Sequence, residues 1–416
     1  MPFGPLLRLA LACLALHGAG AEVARAAGRP PAAVAPGAEP LITTLQDVSG
    51  DSGRTSLTFT LSKAAEARAF LMEQPDRVVV ELPEVTFHLP AHAGQRRHGL
   101  VASFRHGLFA PGRSRIVVDL AQPAVAHLAV ATQGADGSAT LTLELTRADR
   151  DAFRKAVAAN RPALTQPAAG PAKAVEGHDD RRPVIVLDPG HGGVDPGAIA
   201  ATGAREKEVV FSFADRLRAR LEASGRYRVV MTRDHDVFIP LDERVRLARV
   251  AKADLFISIH ADSIATPRIR GLTVYTGSKQ ASDAESQHLA DRENTADAAA
   301  GLQGGETAEA VADILQDLTL RETRGFSHRF ARKLVGEVKP VMPLSVKPHR
   351  QAGFRVLRAA DLPAVLVELG YLSSRKDLDL LTSSEWRDRA TGAMVTAIDR
   401  FFTTRVAVEG STLPTP

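Results

Sequence analysis

The chain has 416 residues, which is enough for two or three domains with separate hydrophobic cores. A hydrophobic content of 44% and a charged content of 24% are ordinary for a globular protein. The formal charge of +4 is small for this length, and only 5% of the residues are aromatic. This composition argues against a nucleic-acid-binding protein, although a sequence pI near 9.3 is compatible with mild attraction to an anionic polymer.

The first 21 residues have the pattern of an export signal. A short apolar run from Leu9 to Leu16 is followed by small residues, which favours cleavage after Ala21 or, alternatively, near positions 26–27. The run is too short for a permanent transmembrane helix, and no later segment is apolar enough to be one. Cys13, the only cysteine, lies within this run and fits a lipid-attachment site only loosely. A single cysteine has no partner in the chain, so no disulfide framework is expected.

The next part of the chain predicts a small all-β domain. Residues 22–40 are rich in Ala, Pro and Gly and read as a flexible segment. Residues 41–146 contain short alternating runs separated by turn residues, which indicates a β-sandwich. The clearest strand patterns lie at 56–61, 77–82, 115–120 and 140–145. Residues 147–181 combine a short polar helix candidate with a Pro/Ala/Gly-rich linker.

Residues 182–404 alternate strand and helix patterns, as a three-layer α/β/α domain does. The strand candidates are Val184–Leu187, Arg228–Met231, Leu255–Ile259, Leu272–Thr276, Phe354–Leu357 and Ala364–Leu369. The helix candidates are Glu206–Ala223, Leu241–Ala251, Thr323–Val338 and Ser384–Phe402. Residues 277–322 are too long for a plain connection and predict a functional insert, and residues 405–416 form a tail.

The most informative motif is VIVLDPGHGGVDPG, residues 184–197. An apolar strand runs into a glycine-rich turn that carries His191, at the strand end where open α/β sheets place ligand sites. On its own, a turn histidine has no implied role. Glu206 at the start of the next helix and His260 at the end of the strand LFISIH change that interpretation.

His191, Glu206 and His260 together form the ligand set of a catalytic zinc site with one open position. Each residue also has an ordinary structural explanation. The helix dipole favours a glutamate in any first turn, and a buried histidine can simply be hydrogen-bonded.

Glu368 follows the apolar run of AVLVELGYL, where a carboxylate must be compensated by donors, a metal or an arginine. It is a candidate general base.

Four separated segments carry a family resemblance: DPGHGGVDPGA, EKEVV, SIHADS and VELGYL. In order and spacing they resemble zinc-dependent N-acetylmuramoyl-L-alanine amidases across residues 183–403. Residues 41–146 resemble the β-sandwich targeting domain that precedes such catalytic domains in Gram-negative bacteria, on the segments DRVVVELP and RSRIVVDL. Family members often have Asn where Asp262 and Arg249 stand here, which affects no implied ligand.

The resemblance implies that His191, Glu206 and His260 bind Zn²⁺ and that Glu368 is the catalytic carboxylate. The implied substrate is peptidoglycan, cut between N-acetylmuramic acid and L-alanine in the periplasm during daughter-cell separation. A monomer is expected. Two alternatives remain open from the residues: a zinc peptidase acting on stem peptides, and a non-catalytic wall-binding scaffold.

In relatives, an insert helix covers the site and its glutamate occupies the open zinc position, and the resemblance implies this role for Glu293. The alternative is a solvated acidic helix face. A second amphipathic pattern from Ala308 to Leu320 predicts where an activator with a degenerate LytM-type domain docks. The sequence thus predicts an enzyme that is autoinhibited at rest.

Overall fold

A computed structural model describes residues 41–90, 92–132, 137–159, 180–264, 270–302 and 314–410, with side chains omitted for 314–320 and 405–410. The predicted export signal and flexible segment lie outside these residues. Among the helices described, none is long and apolar enough to cross a bilayer.

The first folded part is a two-sheet β-sandwich. Its strands are β1 (Leu41–Gly50), β2 (Arg54–Leu61), β3 (Arg68–Met72), β4 (Arg77–Pro83), β5 (Val85–Phe87), β6 (Val101–Ala110), β7 (Arg113–Leu120), β8 (Ala124–Thr132) and β9 (Ala139–Arg147). One sheet has the order β5-β1-β2-β9-β8 and the other β3-β4-β7-β6. Alternate residues of β2 point inward, so that Leu57 and Phe59 pack with Val80 and Val118 of the opposite sheet. The predicted sandwich is confirmed.

Helix α1 (Arg150–Ala159) follows the last strand of the sandwich. Its Phe153 and Val157 are buried in the sandwich core. The first part of the predicted linker therefore packs as a helix on the sandwich.

The second folded part is built on a six-stranded mixed sheet. Its elements are β10 (Val184–Pro189), α2 (Glu206–Ala223), β11 (Arg228–Met231), α3 (Leu241–Val250), β12 (Leu255–His260), β13 (Leu272–Gly277), α4 (Ala284–Asn294), α5 (Ala296–Ala299), α6 (Ile314–Val338), β14 (Leu344–Ala352), β15 (Ala364–Glu368), α7 (Arg375–Thr382) and α8 (Ser384–Gly410). The strand order is β11-β10-β12-β15-β13-β14. Strands β11, β10, β12 and β15 are parallel, whereas β13 runs antiparallel to β15.

Helices cover both faces of this sheet. In β12, Ile257 and Ile259 face α2, α6 and α8, whereas Phe256 faces α3 and α4. Because β12 is central and covered on both faces, all six of its residues are buried, including the polar Ser258 and His260. The predicted three-layer α/β/α architecture is confirmed.

The structure corrects one predicted strand. Residues Arg355–Leu357 form a short 3₁₀ helix, and the strand in this region is β14, at Leu344–Ala352. Strand β14 lies at the edge of the sheet and is largely polar, and Val346 is 98% exposed. A search for apolar runs therefore selects the buried segment after it instead.

The boundaries of helices α6 and α8 differ from the sequence prediction. Helix α6 begins at Ile314 instead of Thr323, and α8 continues to Gly410 instead of ending at Phe402. The insert at 277–322 therefore contains α4, α5 and the first turns of α6, and the predicted tail begins as helix. The sequence prediction also lacks helix α7, which is only eight residues long.

Replacing Phe213 by Ala should destabilise the α/β part. Phe213 is fully buried and packs on Trp386, the only tryptophan, with ring centroids 6.1 Å apart. Because the deletion leaves a cavity, we expect the free energy of unfolding to fall by about 3–5 kcal/mol. Urea titration followed by Trp386 fluorescence measures this change. Val250→Ala, at a half-exposed site on α3, is the control, and equal stability of the two variants would contradict the packing described here.

Candidate metal centre

The turn after β10 brings His191 into the interior. His191 adopts a positive φ of 59°. Gly190 and Gly197 have no side chains, which leaves room for the side chains of His260 and Glu206. A Cβ atom at Gly190 would lie 2.4 Å from the His260 ring, and one at Gly197 would lie 2.7 Å from both the Glu206 carboxylate and the His191 ring. The glycine-rich motif is therefore required by close packing around the two histidines.

Two buried arginines hold the carbonyl groups of this turn. Arg233 donates hydrogen bonds to the carbonyl oxygens of Pro189 and Gly190, both at 3.0 Å. Arg244 donates to the His191 carbonyl at 2.8 Å and forms an ion pair with Asp188 at 2.8 Å. These contacts fix the turn although one of its residues has a strained backbone.

Four side-chain atoms converge on one point. Glu206 Oε1 lies 3.1 Å from His191 Nε2 and 3.2 Å from His260 Nδ1. Glu293 Oε2 lies 3.7 Å and 3.3 Å from the same two nitrogens. Ligands of a tetrahedral zinc ion with bonds of 2.0–2.1 Å are separated by about 3.3 Å. The four nitrogen–oxygen separations, between 3.1 and 3.7 Å, bracket this value.

Neighbouring groups orient the candidate ligands. His191 Nδ1 lies 2.9 Å from Asp195 Oδ2, which leaves Nε2 facing the centre. The two oxygens of Glu206 accept hydrogen bonds from the backbone N–H groups of Ala198 and Ala261, both at 2.9 Å. A carboxylate paired with the far nitrogen of a histidine is the usual support of a metal-binding imidazole.

The electrostatics of the pocket favour a cation. Burial alone would lower the pKa of His191, but the carboxylates of Glu206, Asp195 and Glu293 outweigh it and hold that pKa well above its ordinary value. Burial opposes ionisation of Glu206 as well, yet the neighbouring imidazoles keep its pKa well below the usual range. Positive charge is thus stabilised at the point where the four atoms meet.

The donor set fits zinc. His191 Nε2 and His260 Nδ1 are buried and have no hydrogen-bond partner, an expensive arrangement for polar atoms unless a further group binds them. Two imidazole nitrogens with carboxylate oxygens are ligands that zinc accepts. His191, His260 and Glu293 offer atoms that all lie within 4.8 Å of one another.

Glu368 lies next to this cluster, opposite His260 in the pairing of β12 with β15. Its Oε2 accepts the N–H of Asp262 at 3.1 Å, and its Oε1 is buried without a partner. Burial, reinforced by Asp262, Glu206 and Glu293, raises the pKa of Glu368 well above its ordinary value. A carboxylate in this environment readily accepts a proton.

Glu293 reaches the cluster from α4 in the insert. Leu289 and Ala290 of this helix are buried against the sheet, and Asn294 bonds the backbone at Gly353 and Arg355. The adjacent Arg292 forms an ion pair with Asp262 and donates to the Ser263 carbonyl at 2.7 Å. The insert helix is thus docked beside the cluster.

The structure brings all five sequence-predicted residues into one buried region, and it adds four that the sequence analysis did not single out. Asp195, Arg233, Arg244 and Arg292 position the site through the contacts described above. Asp195 could have been found, because it lies inside the quoted motif four residues after His191. The three arginines carry no local signal, since their partners are backbone carbonyls or distant in sequence.

Comparisons with known proteins agree with this geometry. Residues 185–400 match the Amidase_3 family model, described as N-acetylmuramoyl-L-alanine amidase, and residues 47–145 match the AMIN domain. The first match contains the four converging residues and Glu368, and the second coincides with the sandwich.

Two relatives align over most of their length. The N-acetylmuramoyl-L-alanine amidase AmiC of Neisseria meningitidis is 33% identical, over 86% of this chain and 89% of its own. AmiC of Escherichia coli O6:H1 is 31% identical, over 87% and 88%. The solved structure of AmiC2 of Nostoc punctiforme is 26% identical over 53% of this chain and 97% of its own, with a TM-score of 0.38. The Amidase_3 match and the two AmiC relatives show that the chain belongs to the N-acetylmuramoyl-L-alanine amidase family, and it carries an N-terminal AMIN domain.

Proposed function

We propose that this chain is a zinc-dependent N-acetylmuramoyl-L-alanine amidase. It would hydrolyse the amide between N-acetylmuramic acid and L-alanine in peptidoglycan and so separate daughter cells. The observation that carries the proposal is the convergence of His191, Glu206 and His260, with ligand-like separations, inside the region that matches the amidase family.

In this proposal His191, Glu206 and His260 hold the metal. Zinc bound there supplies a Lewis acid that polarises an amide carbonyl and lowers the pKa of a water molecule toward about 7. Asp195 fixes the orientation of the His191 ring, and the N–H groups of Ala198 and Ala261 fix the Glu206 carboxylate. The pocket is therefore organised before substrate arrives.

Glu368 would move the proton. Its buried Oε1 has no hydrogen-bond partner, so it can accept a proton from the attacking water. The same carboxyl group can return that proton to the alanine nitrogen as this nitrogen leaves. The Asp262 N–H holds the other oxygen in place throughout.

Replacing Glu368 by Gln should separate catalysis from metal binding. The variant keeps the shape of the side chain and removes the proton acceptor, so we expect hydrolysis of purified sacculi to fall by about 10²–10⁴-fold while the zinc content is unchanged. Dye release from labelled sacculi and metal analysis measure the two quantities. Near-full activity would remove Glu368 from the mechanism.

Product analysis distinguishes the proposal from the two alternatives. Mass spectrometry of wild-type digests should show intact stem peptides freed from bare glycan. A zinc peptidase would cut within the stems, and a wall-binding scaffold would release nothing. The complete set of ligands and Glu368 argues against a scaffold, which does not need them.

Replacing Asp195 by Asn should weaken metal binding. The substitution removes the negative charge beside His191 Nδ1, and loss of such a partner typically lowers metal affinity by about 10–100-fold. Competition with a chromogenic zinc chelator measures the affinity. Asp215→Asn, in a surface ion pair on α2, is the matched control and should bind zinc as the wild type does. Equal affinities in the two variants would refute this role of Asp195.

Glu293 is proposed as an inhibitory ligand. Its Oε2 lies near both histidine nitrogens, where the attacking water and the substrate carbonyl would have to bind. The enzyme with α4 docked would then be inactive, and displacement of the helix would open the position. A point substitution tests this better than deletion of 284–318, because Leu289 and Ala290 belong to the core.

Replacing Glu293 by Ala should raise basal activity at least about tenfold, because a closed state favoured by a few kcal/mol leaves about 10% or less of the enzyme open. The measurement is dye release without any activator. Asp291→Ala, at an exposed site on the same helix, should leave the rate unchanged. A folded, zinc-loaded E293A protein with wild-type or lower activity would contradict the inhibitory role.

An exported, periplasmic location and a LytM-type activator complete the proposal. Both rest on the sequence patterns, because the export signal and residues 303–313 lie outside the described part of the chain. The activator would bind the 308–320 stretch, which continues into α6, and pull the insert away from the site.

A further inference from the structure

The β-sandwich makes an extensive contact with the insert that carries Glu293. Three arginines lie on adjacent strands of its β3-β4-β7-β6 sheet: Arg77 on β4, Arg105 on β6 and Arg115 on β7. We call these three residues the arginine clamp. All of them donate to the backbone at the end of α5.

The clamp binds consecutive carbonyl groups. Arg77 donates to Ala298 O, Arg105 to Ala299 O at 2.7 Å, and Arg115 to Ala300 O and Gly301 O at 2.9 and 2.8 Å. The last carbonyls of a helix have no partner within the helix and carry partial negative charge. Here guanidinium groups of the sandwich bind them, and Ala298 O also accepts the Gly301 N–H at 2.9 Å.

The clamp arginines are themselves fixed. Asp119 pairs with Arg77 at 2.6 Å and with Arg105 at 2.9 Å. Glu81 pairs with Arg115 at 2.6 Å, and the Arg115 guanidinium lies 3.3 Å above the Phe109 ring. Because these side chains are already ordered, binding the α5 carbonyls costs little additional conformational entropy.

An apolar cluster surrounds the clamp. It joins residues of the sandwich to residues of the α/β part, namely Phe70, Met72, Val79, Phe109, Ala110 and Val117 to Val194, Phe238 and Ala300. The Leu108 carbonyl also accepts the N–H groups of Val194 and Phe238, at 3.2 and 3.3 Å. The sandwich thus touches both the turn that carries His191 and the segment that follows Glu293.

Only a few residues separate Glu293 from the carbonyl groups that the arginine clamp binds. The bound carbonyls begin five residues after Glu293, and helical hydrogen bonds from Ala299 N to Thr295 O and from Ala300 N to Ala296 O connect the two. A further hydrogen bond, from Thr295 N to Arg292 O at 3.0 Å, joins the end of α4 to this stretch, so the position of Glu293 is coupled to that of the clamped residues.

We infer that the AMIN sandwich is a latch, whose β3-β4-β7-β6 sheet binds residues 298–301 and thereby keeps Glu293 on the metal site. This inference rests on the proposed inhibitory role of Glu293. It assigns the sandwich a part in controlling the enzyme in addition to any targeting. A partner or wall ligand that binds the sandwich only when the clamp is empty would, by linkage, activate the enzyme.

Hydrogen exchange of the full chain tests the latch directly. In Arg115→Gln and, separately, in the milder Arg105→Gln, we expect the amides of residues 284–302 to exchange about tenfold faster, because charge-assisted hydrogen bonds to the helix end are lost. Protection of β7 should persist, which shows that the sandwich remains folded. Arg68→Gln, on β3 of the same sheet and paired with Glu66, is the control and should exchange as the wild type does.

Basal amidase activity of the same variants completes the test and should rise with the exchange rate. Wild-type exchange at 284–302 in a folded Arg105→Gln protein would overturn the latch. If E293A raises activity while the clamp variants change neither quantity, the latch alone fails. A third outcome is faster exchange in the clamp variants, with no change of activity in these variants or in E293A. In that case the latch holds Glu293, but the proposed inhibition fails.

Discussion

The burial of Glu206 between two imidazoles is the constraint on which the site depends. An ionised carboxylate without access to water is costly unless every lone pair is compensated. Two backbone N–H groups donate to Glu206, and the adjacent imidazoles of His191 and His260, acting against burial, hold its pKa well below the usual range. Those groups come from the turn after β10 and the end of β12, so the first turn of α2, which carries Glu206, must meet both strand ends at one point.

The parallel sheet makes this meeting possible. Strands β10 and β12 are adjacent and in register, so their carboxyl ends present His191 and His260 side by side. Strand β15 lies next to β12 and places Glu368 opposite His260. Buried arginines then hold the turn carbonyls from the opposite side. The centre is thus supported by elements that come from almost two hundred residues of chain, although each ligand belongs to a short local motif.

What the sequence could predict follows from where the information lies. His191, Glu206, His260 and Glu368 lie on apolar strands, a glycine-rich turn and a helix start, all of which are local patterns that can be recognised in one chain. Strand β14 is polar and is defined by its place at the sheet edge, so its sequence resembles a loop. Arg244 and the arginine clamp act on backbone carbonyls far along the chain, and no residue pattern records such partners.

The docked insert is attached to the rest of the structure mainly outside the pocket. Inside the pocket, burial, reinforced by Glu206 and Glu293, raises the pKa of Glu368 and of Asp262, which reaches about 7. Glu293 also raises the pKa of His191 and of His260 against the effect of burial, so its carboxylate is attracted by the two imidazoles and repelled by the neighbouring acids. The remote attachments are the Arg292–Asp262 ion pair, the Asn294 hydrogen bonds and the contacts with the sandwich. Under the proposed inhibition, opening requires breaking these contacts, so a regulator can act on the insert without entering the site where the chemistry takes place.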